Sequence, residues 1–215
     1  MTKKKIIGIT QRVDLISSHK EYRDALDQRL IDWVSQAGFI AVPIPNTLFD
    51  KSLSENYQPL LETWLNTINI DAVLLSGGND IGDIKQRDLT EKYLLSWSEK
   101  CKNPVLGICR GMQMMGIYAG EKLVGVDGHV KTYHELNLKI GNNALLPLNV
   151  NSFHNFALKN CPDSYQILAK SDDNSIEAIK HKKLPWEGWM WHPERDEKFL
   201  EIYLQRFKEL INIES

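Results

Sequence analysis

Pro104-Val105-Leu106-Gly107-Ile108-Cys109-Arg110-Gly111-Met112-Gln113 is a short apolar run that breaks, at Cys109, into a helical pattern reaching about Tyr118. An apolar run of this length reads as a buried strand, and a side chain on the sharp turn that follows is held out at the top of a sheet. Outward from this point the same pattern recurs. Residues 72–75 form a second continuous apolar run, ending in Ser76-Gly77-Gly78-Asn79-Asp80, and residues 5–10 and 39–44 read as two more strands. Apolar residues at Ala25, Leu26, Leu30, Trp33 and Val34 predict a helix over 22–37 closed by Gly38, with further helices over 57–67 and 89–100. Alternating strands and helices predict a three-layer α/β fold, a mainly parallel central sheet flanked by helices, with ligands bound at the carboxyl ends of its strands.

The remainder is patterned differently. Short strand-like runs at 145–150, 166–169, 176–180 and 188–191, separated by turn signals, predict an antiparallel extension that returns to the sheet. Phe199, Leu200, Tyr203, Leu204, Phe207 and Leu210 then recur at helical spacing within 197–211.

The sequence has 215 residues, 42% of them hydrophobic and 25% charged, which excludes collagenous, coiled-coil and disordered classes. Its formal charge of −2 leaves no overall basic field for nucleic acid or anionic lipid, so a small-molecule substrate is expected. The apolar stretch after Lys3-Lys4-Lys5 is too short for a signal peptide, and no run is long enough to span a bilayer. Cys101, Cys109 and Cys161 have neither disulfide nor zinc-like spacing, which suits a reducing cytoplasm. No cofactor is called for. His129 and His134, five apart, lack an obvious carboxylate frame, so no metal is expected.

Cys109 is the candidate nucleophile, because free N–H groups at a helix start stabilise a thiolate; the plainer reading is a small buried packing residue. Cys101 and Cys161 have no such setting. A thiol attacking an amide needs a base and an orienting carboxylate, and Trp191-His192-Pro193-Glu194 offers both if Glu194 reaches back along extended chain to His192. Oxyanion donors are expected from the Gly77-Gly78-Asn79 turn and from Arg110.

These three stretches, in this order, resemble the class I glutamine amidotransferase domains over essentially the whole chain. The resemblance implies one type 1 domain over 1–215 with a flavodoxin-like sheet, a triad of Cys109, His192 and Glu194, an oxyanion hole from the N–H groups of Gly78 and Arg110, and Gln113 lining a glutamyl pocket. Arg87-Asp88-Leu89-Thr90-Glu91 and Asn151-Ser152-Phe153-His154 resemble the gamma-glutamyl hydrolase branch, peptidase family C26. That branch implies glutamyl binding by His154 with Ser152 and Phe153. Read from the residues alone, His154 is a structural loop residue, and Arg87, Asp88 and Glu91 are a solvated helix start.

Longer runs, Asn151 to Ala157, Asn174 to Ala178 and Met190 to Arg195, are similar to the family of gamma-glutamyl-CDP-amidate hydrolases of capsule phosphoramidate biosynthesis. The short Asp80 to Arg87 connection, longer in gamma-glutamyl-gamma-aminobutyrate hydrolases, leaves room for a nucleotide-linked leaving group. Arg12, Lys131, Arg195 and the Trp186, Trp189, Trp191 set are candidates to meet it, and each is equally a surface charge or a packing residue. Hydrolysis of gamma-glutamyl-gamma-aminobutyrate, a glutaminase subunit feeding a separate synthase, and a non-enzymatic binding module remain open. So does a homodimer.

Overall fold

Successive residues of Ala72–Leu75 face opposite sides, as strand geometry requires, and all four are buried because helices cover both faces. The computed structural model describes residues 4–48, 59–138 and 146–212. Residues 57 and 58 of one expected helix, and Leu145 of one expected strand, lie outside the described residues.

The central eight-stranded sheet has the order Ile40–Ile44, Ile6–Thr10, Ala72–Leu75, Val105–Ile108, Trp186–Trp189, Ile176–His181, Tyr165–Lys170, Asn137–Leu138. The first five run parallel and the last three continue antiparallel; the extension expected from the sequence is antiparallel except in its last run, where Trp186–Trp189 lies parallel to Val105–Ile108. From Ile6–Thr10 the chain goes first to one neighbouring strand and then to the other. The order therefore reverses between Ile6–Thr10 and Ala72–Leu75, and a crevice opens at their carboxyl ends.

Helices Gln28–Gln36 and Glu201–Asn212 pack Leu30, Trp33, Val34, Tyr203 and Phe207 on one face, where Trp33 stacks on Phe207 at 4.7 Å between ring centroids. Helices Pro59–Ile68, Lys85–Cys101 and Arg110–Tyr118 cover the other with Leu61, Leu65, Leu94, Leu95, Met112 and Met115. Among the described residues no helix is long and apolar enough to cross a membrane.

Two segments depart from the expected reading. Residues 22–25 are not helical: Glu21–Ala25 pairs antiparallel with Arg12–Ile16, and the helix begins at Gln28, where the Asp27 carboxylate accepts from Arg29 N at 2.9 Å. Leu26 kept the helical spacing because the chain turns it toward the core that Leu30, Trp33 and Val34 fill. The strand expected over 145–150 forms instead at Asn149–Phe153, paired with Val130–Glu135 in a separate ribbon. Leu123–Gly125 and Phe156–Leu158 make another such pair.

Helix Arg110–Tyr118 crosses the sheet at very short range. A Cβ on Gly111 would stand 2.2 Å from Leu75 O, and one on Gly107 would stand 2.6 Å from the Gly111 carbonyl carbon. Gly111→Ala must push the helix start off the sheet, and we expect a loss of about 1–3 kcal/mol in urea unfolding. An unchanged midpoint would mean that this contact has slack.

Candidate active site

Cys109 joins strand Val105–Ile108 to helix Arg110–Tyr118 with φ 51° and ψ −105°, a backbone state that a non-glycine residue holds only when its surroundings impose it. The imposition comes from both sides. Cys109 N donates to Trp189 O at 2.7 Å, and Gln113 N donates to Cys109 O at 3.1 Å. Because a trans peptide points its C=O and the following N–H in opposite directions, the Cys109 carbonyl lies along the helix and the Arg110 N–H points out of its start.

His192 is buried beside Cys109, which favours its charged form. Its Nδ1 lies 2.6 Å from Glu194 Oε1. The sequence reading had Glu194 reach back along extended chain; the pair instead closes across the tight turn Pro193–Arg195, which brings the two side chains together around Pro193. Burial opposes a charged imidazole, but the Glu194 carboxylate and Cys109 outweigh it and raise the His192 pKa to about 9. A residue the sequence reading passed over fixes the backbone here. Asn151 Oδ1 accepts from His192 N at 2.9 Å, and Asn151 Nδ2 donates to His192 O at 2.8 Å. Asn151 lies inside the run that carried the family resemblance, the signal by which it was open to recognition.

The Ser76–Asn79 turn is held from beneath. Arg87 Nη2 donates to Ser76 O at 2.7 Å and to Gly77 O at 2.8 Å, so the Gly78 N–H, trans to the Gly77 carbonyl, points away from the guanidinium. Gly78 has φ +104°, and a Cβ there would meet Arg12 Cβ at 2.9 Å. Asn79 pins the hairpin above: its Oδ1 accepts from Val13 N and its Nδ2 donates to Val13 O, each at 2.8 Å. The cleft beside His192 is lined by Arg12, Gly77, Gly78, Glu194 and Arg195, among others.

Arg87 and Glu91 are fully buried, which corrects the reading of a solvated helix start. Glu91 Oε1 accepts from Arg87 Nε at 3.0 Å and from Thr10 Oγ1 at 2.9 Å, while its other oxygen accepts from Arg110. Asp88 is the second partner of Arg110. Burial would push the Glu91 carboxyl up, but Arg110 and Arg87 hold it below the usual carboxylate range. The charges look solvated in sequence because Arg110, nineteen residues on, is invisible to local patterning.

A class-I glutamine amidotransferase family model matches residues 43–204. The chain belongs to that family. It is 34% identical over 201 residues to a gamma-glutamyl-CDP-amidate hydrolase of Campylobacter jejuni, spanning 88% of this chain and 90% of that protein. It is 25% identical to a gamma-glutamyl-gamma-aminobutyrate hydrolase of Escherichia coli O157:H7, over 88% of this chain and 85% of the other. A solved glutamine amidotransferase from Thermotoga maritima shares the fold, with a TM-score of 0.65 at 16% identity over 96% of this chain and 84% of that one. This amidotransferase is thus an enzyme of amide carbon–nitrogen bonds.

Several of the other expected site residues face inward, away from the cleft. Phe153 stands edge-on to the His192 ring at 6.0 Å with the Arg195 guanidinium over its face at 4.7 Å. Ser152 is fully buried and donates to His129 O, and Gln113 Nε2 donates to Phe156 O at 2.8 Å. His154 has Nδ1 3.0 Å from Phe156 O and Nε2 3.2 Å from His129 Nδ1, so both ring nitrogens face groups of the surrounding wall. Its polar role is to shape the wall behind Phe153. Trp186, Trp189 and Trp191 are all core residues, the last two stacked at 5.5 Å, and so offer no face to a base. Lys131 is exposed, on the Val130–Glu135 strand.

Removing one partner of the buried ion cluster, as in Glu91→Gln, should cost about 3–5 kcal/mol by chemical denaturation. The His192 shift has a definite sign as well. Its folded pKa of about 9 lies above the ordinary 6.5, so the stability it contributes is complete below about 6.5 and is lost as pH rises through about 9. In Glu194→Gln, proton NMR should find the imidazole titrating nearer its ordinary value, with a flatter stability profile across that window.

Proposed function

We propose that this enzyme hydrolyses a gamma-glutamyl amide through a glutamyl thioester on Cys109. The observation that carries the reading is the strained Cys109 placed beside a buried His192 whose Nδ1 lies 2.6 Å from Glu194. The Cys109 sulfur attacks the gamma-carbonyl carbon, and the carbonyl oxygen becomes an oxyanion accepted by the N–H groups of Gly78 and Arg110. As the carbon–nitrogen bond breaks, the His192 imidazolium passes its proton to the departing nitrogen, and the thioester remains. Water, deprotonated by His192, then attacks the thioester carbon and releases glutamate with the thiol regenerated. Glu194 keeps the imidazole oriented and favours its charged form. Gln113, Ser152 and His154 act by holding the Phe153–Phe156 wall against which the glutamyl group lies.

For the leaving group we favour cytidine diphosphoramidate, which assigns the enzyme to capsule phosphoramidate synthesis. The support is the 34% identity to the Campylobacter jejuni hydrolase over nearly the full length of both chains. Arg12 and Arg195 are consistent with it, as two guanidinium groups at the cleft suit a diphosphate better than an aliphatic acid. The Escherichia coli relative supports a second reading, in which the amine released is gamma-aminobutyrate.

Glutamate release from gamma-glutamyl-CDP-amidate, gamma-glutamyl-gamma-aminobutyrate and glutamine tests the reading, with Cys109→Ala as the blank. The nucleotide should turn over fastest and Cys109→Ala should lose essentially all activity. Near-normal turnover by Cys109→Ala would remove the thioester from the mechanism. Preference for gamma-glutamyl-gamma-aminobutyrate would install the second reading, and glutamine turnover that rises on adding a synthase would make this chain its glutaminase subunit.

A further inference from the structure

Behind the Phe153 wall, away from the triad, the protonation states of three histidines and two carboxylates are dictated by their neighbours. His129 Nε2 lies 2.8 Å from Asp173 Oδ2. Asp173 is half-exposed, and its carboxylate also accepts from Ser171 Oγ, Ser175 N and Ser175 Oγ. An ionised carboxylate only accepts, so the proton of a neutral His129 sits on Nε2. His154 Nδ1 faces the Phe156 carbonyl at 3.0 Å, which likewise only accepts, so its proton sits on Nδ1.

The two remaining ring nitrogens, His129 Nδ1 and His154 Nε2, are then bare lone pairs pointing at each other across 3.2 Å. The third corner is Glu177 Oε1, 3.6 Å from the first nitrogen and 3.7 Å from the second. Glu177 is fully buried, and neither of its oxygens has a hydrogen-bond donor among the described residues. His134 stacks beside them, its ring centroid 4.2 Å from that of His129 and its Nε2 buried without a partner. The donor atoms offered by His129, His134 and Glu177 all lie within 4.8 Å of one another.

Two lone pairs and a buried carboxylate facing one point require a positive charge there. We propose that this point is a structural metal site for a zinc-class divalent ion, held by His129 Nδ1, His154 Nε2 and Glu177 Oε1, with the His134 ring turning inward to supply the fourth donor. Ligands about 2.0–2.2 Å from a tetrahedral ion stand roughly 3.3–3.6 Å apart, close to the edges of this triangle. Three imidazoles and one carboxylate suit zinc, whereas calcium and magnesium demand oxygen. The second ring nitrogens are already oriented by a carboxylate and a carbonyl, the outer arrangement that metal-binding histidines need. The carboxylates beside the two histidines come from far along the chain, Glu177 from the strand Ile176–His181 and Asp173 from the turn before it. The ion ties the Val130–Glu135 ribbon to the central sheet.

The test is titration of chelator-stripped protein with cobalt(II), followed by zinc displacement and thermal unfolding. We expect one cobalt per chain with the intense visible bands of tetrahedral coordination, and an unfolding midpoint that rises with zinc. Asp173→Asn, at a half-exposed position, should weaken zinc binding about 10- to 100-fold. Glu177→Gln should abolish it while leaving the stripped protein as stable as the parent or more so, since it removes an unpaired buried charge. Weak octahedral bands, no zinc-dependent midpoint shift, or zinc binding unaltered in Glu177→Gln would each overturn the site. A pair of histidines sharing one extra proton, seen as an imidazolium by NMR in excess zinc, would overturn it too.

Discussion

Glu91 is a carboxylate with no exposure to water, and nearly every distance around Cys109 refers back to it. Through Thr10 it touches the carboxyl end of the first strand, through Arg87 the Ser76–Gly77 carbonyls, and through Arg110 the first residue of the helix after Cys109. Burying such a cluster contributes little net stability compared with apolar residues of the same volume. What it supplies is geometry. Two backbone donors from separate loops are oriented by guanidinium groups sharing one anion, so the Gly78 and Arg110 N–H groups are set relative to each other before any substrate arrives.

The parts of the fold that were legible are those whose signal is local. The run ending at Ile108 and the run Ala72–Leu75 are buried on both faces, so unbroken apolar sequence marks them, and the glycines after them mark the turns. The Arg12–Ile16 and Glu21–Ala25 hairpin carries no such mark. Most of its side chains are exposed or only half-buried, and it is anchored by Asn79 and Asn46, which bond its backbone or Asp24 from distant points in the chain.

The site divides on the same line. Cys109, the His192–Glu194 pair and the Gly77-Gly78 turn each announce themselves within a few residues. Asn151 holds His192 from forty-one residues away, and Glu177 reaches His129 and His154 across separate strands. Patterning within a window cannot see an interaction of that span, and the same residues read alone look like ordinary loop polarity. Glu194 shows a subtler limit: two residues of separation admitted contact by either an extended or a turned backbone, and Pro193 decided for the turn.

Asn151 grips both the N–H and the C=O of His192, and Glu194 holds one ring nitrogen, which leaves the imidazole a single motion, a small rocking about the bonds to its ring. In the proposed mechanism, moving a proton from sulfur to a departing nitrogen thus needs no travel by the base. The pivot is built in during folding, and the entropy of aligning donor with acceptor is lost there, once, and not in each turnover.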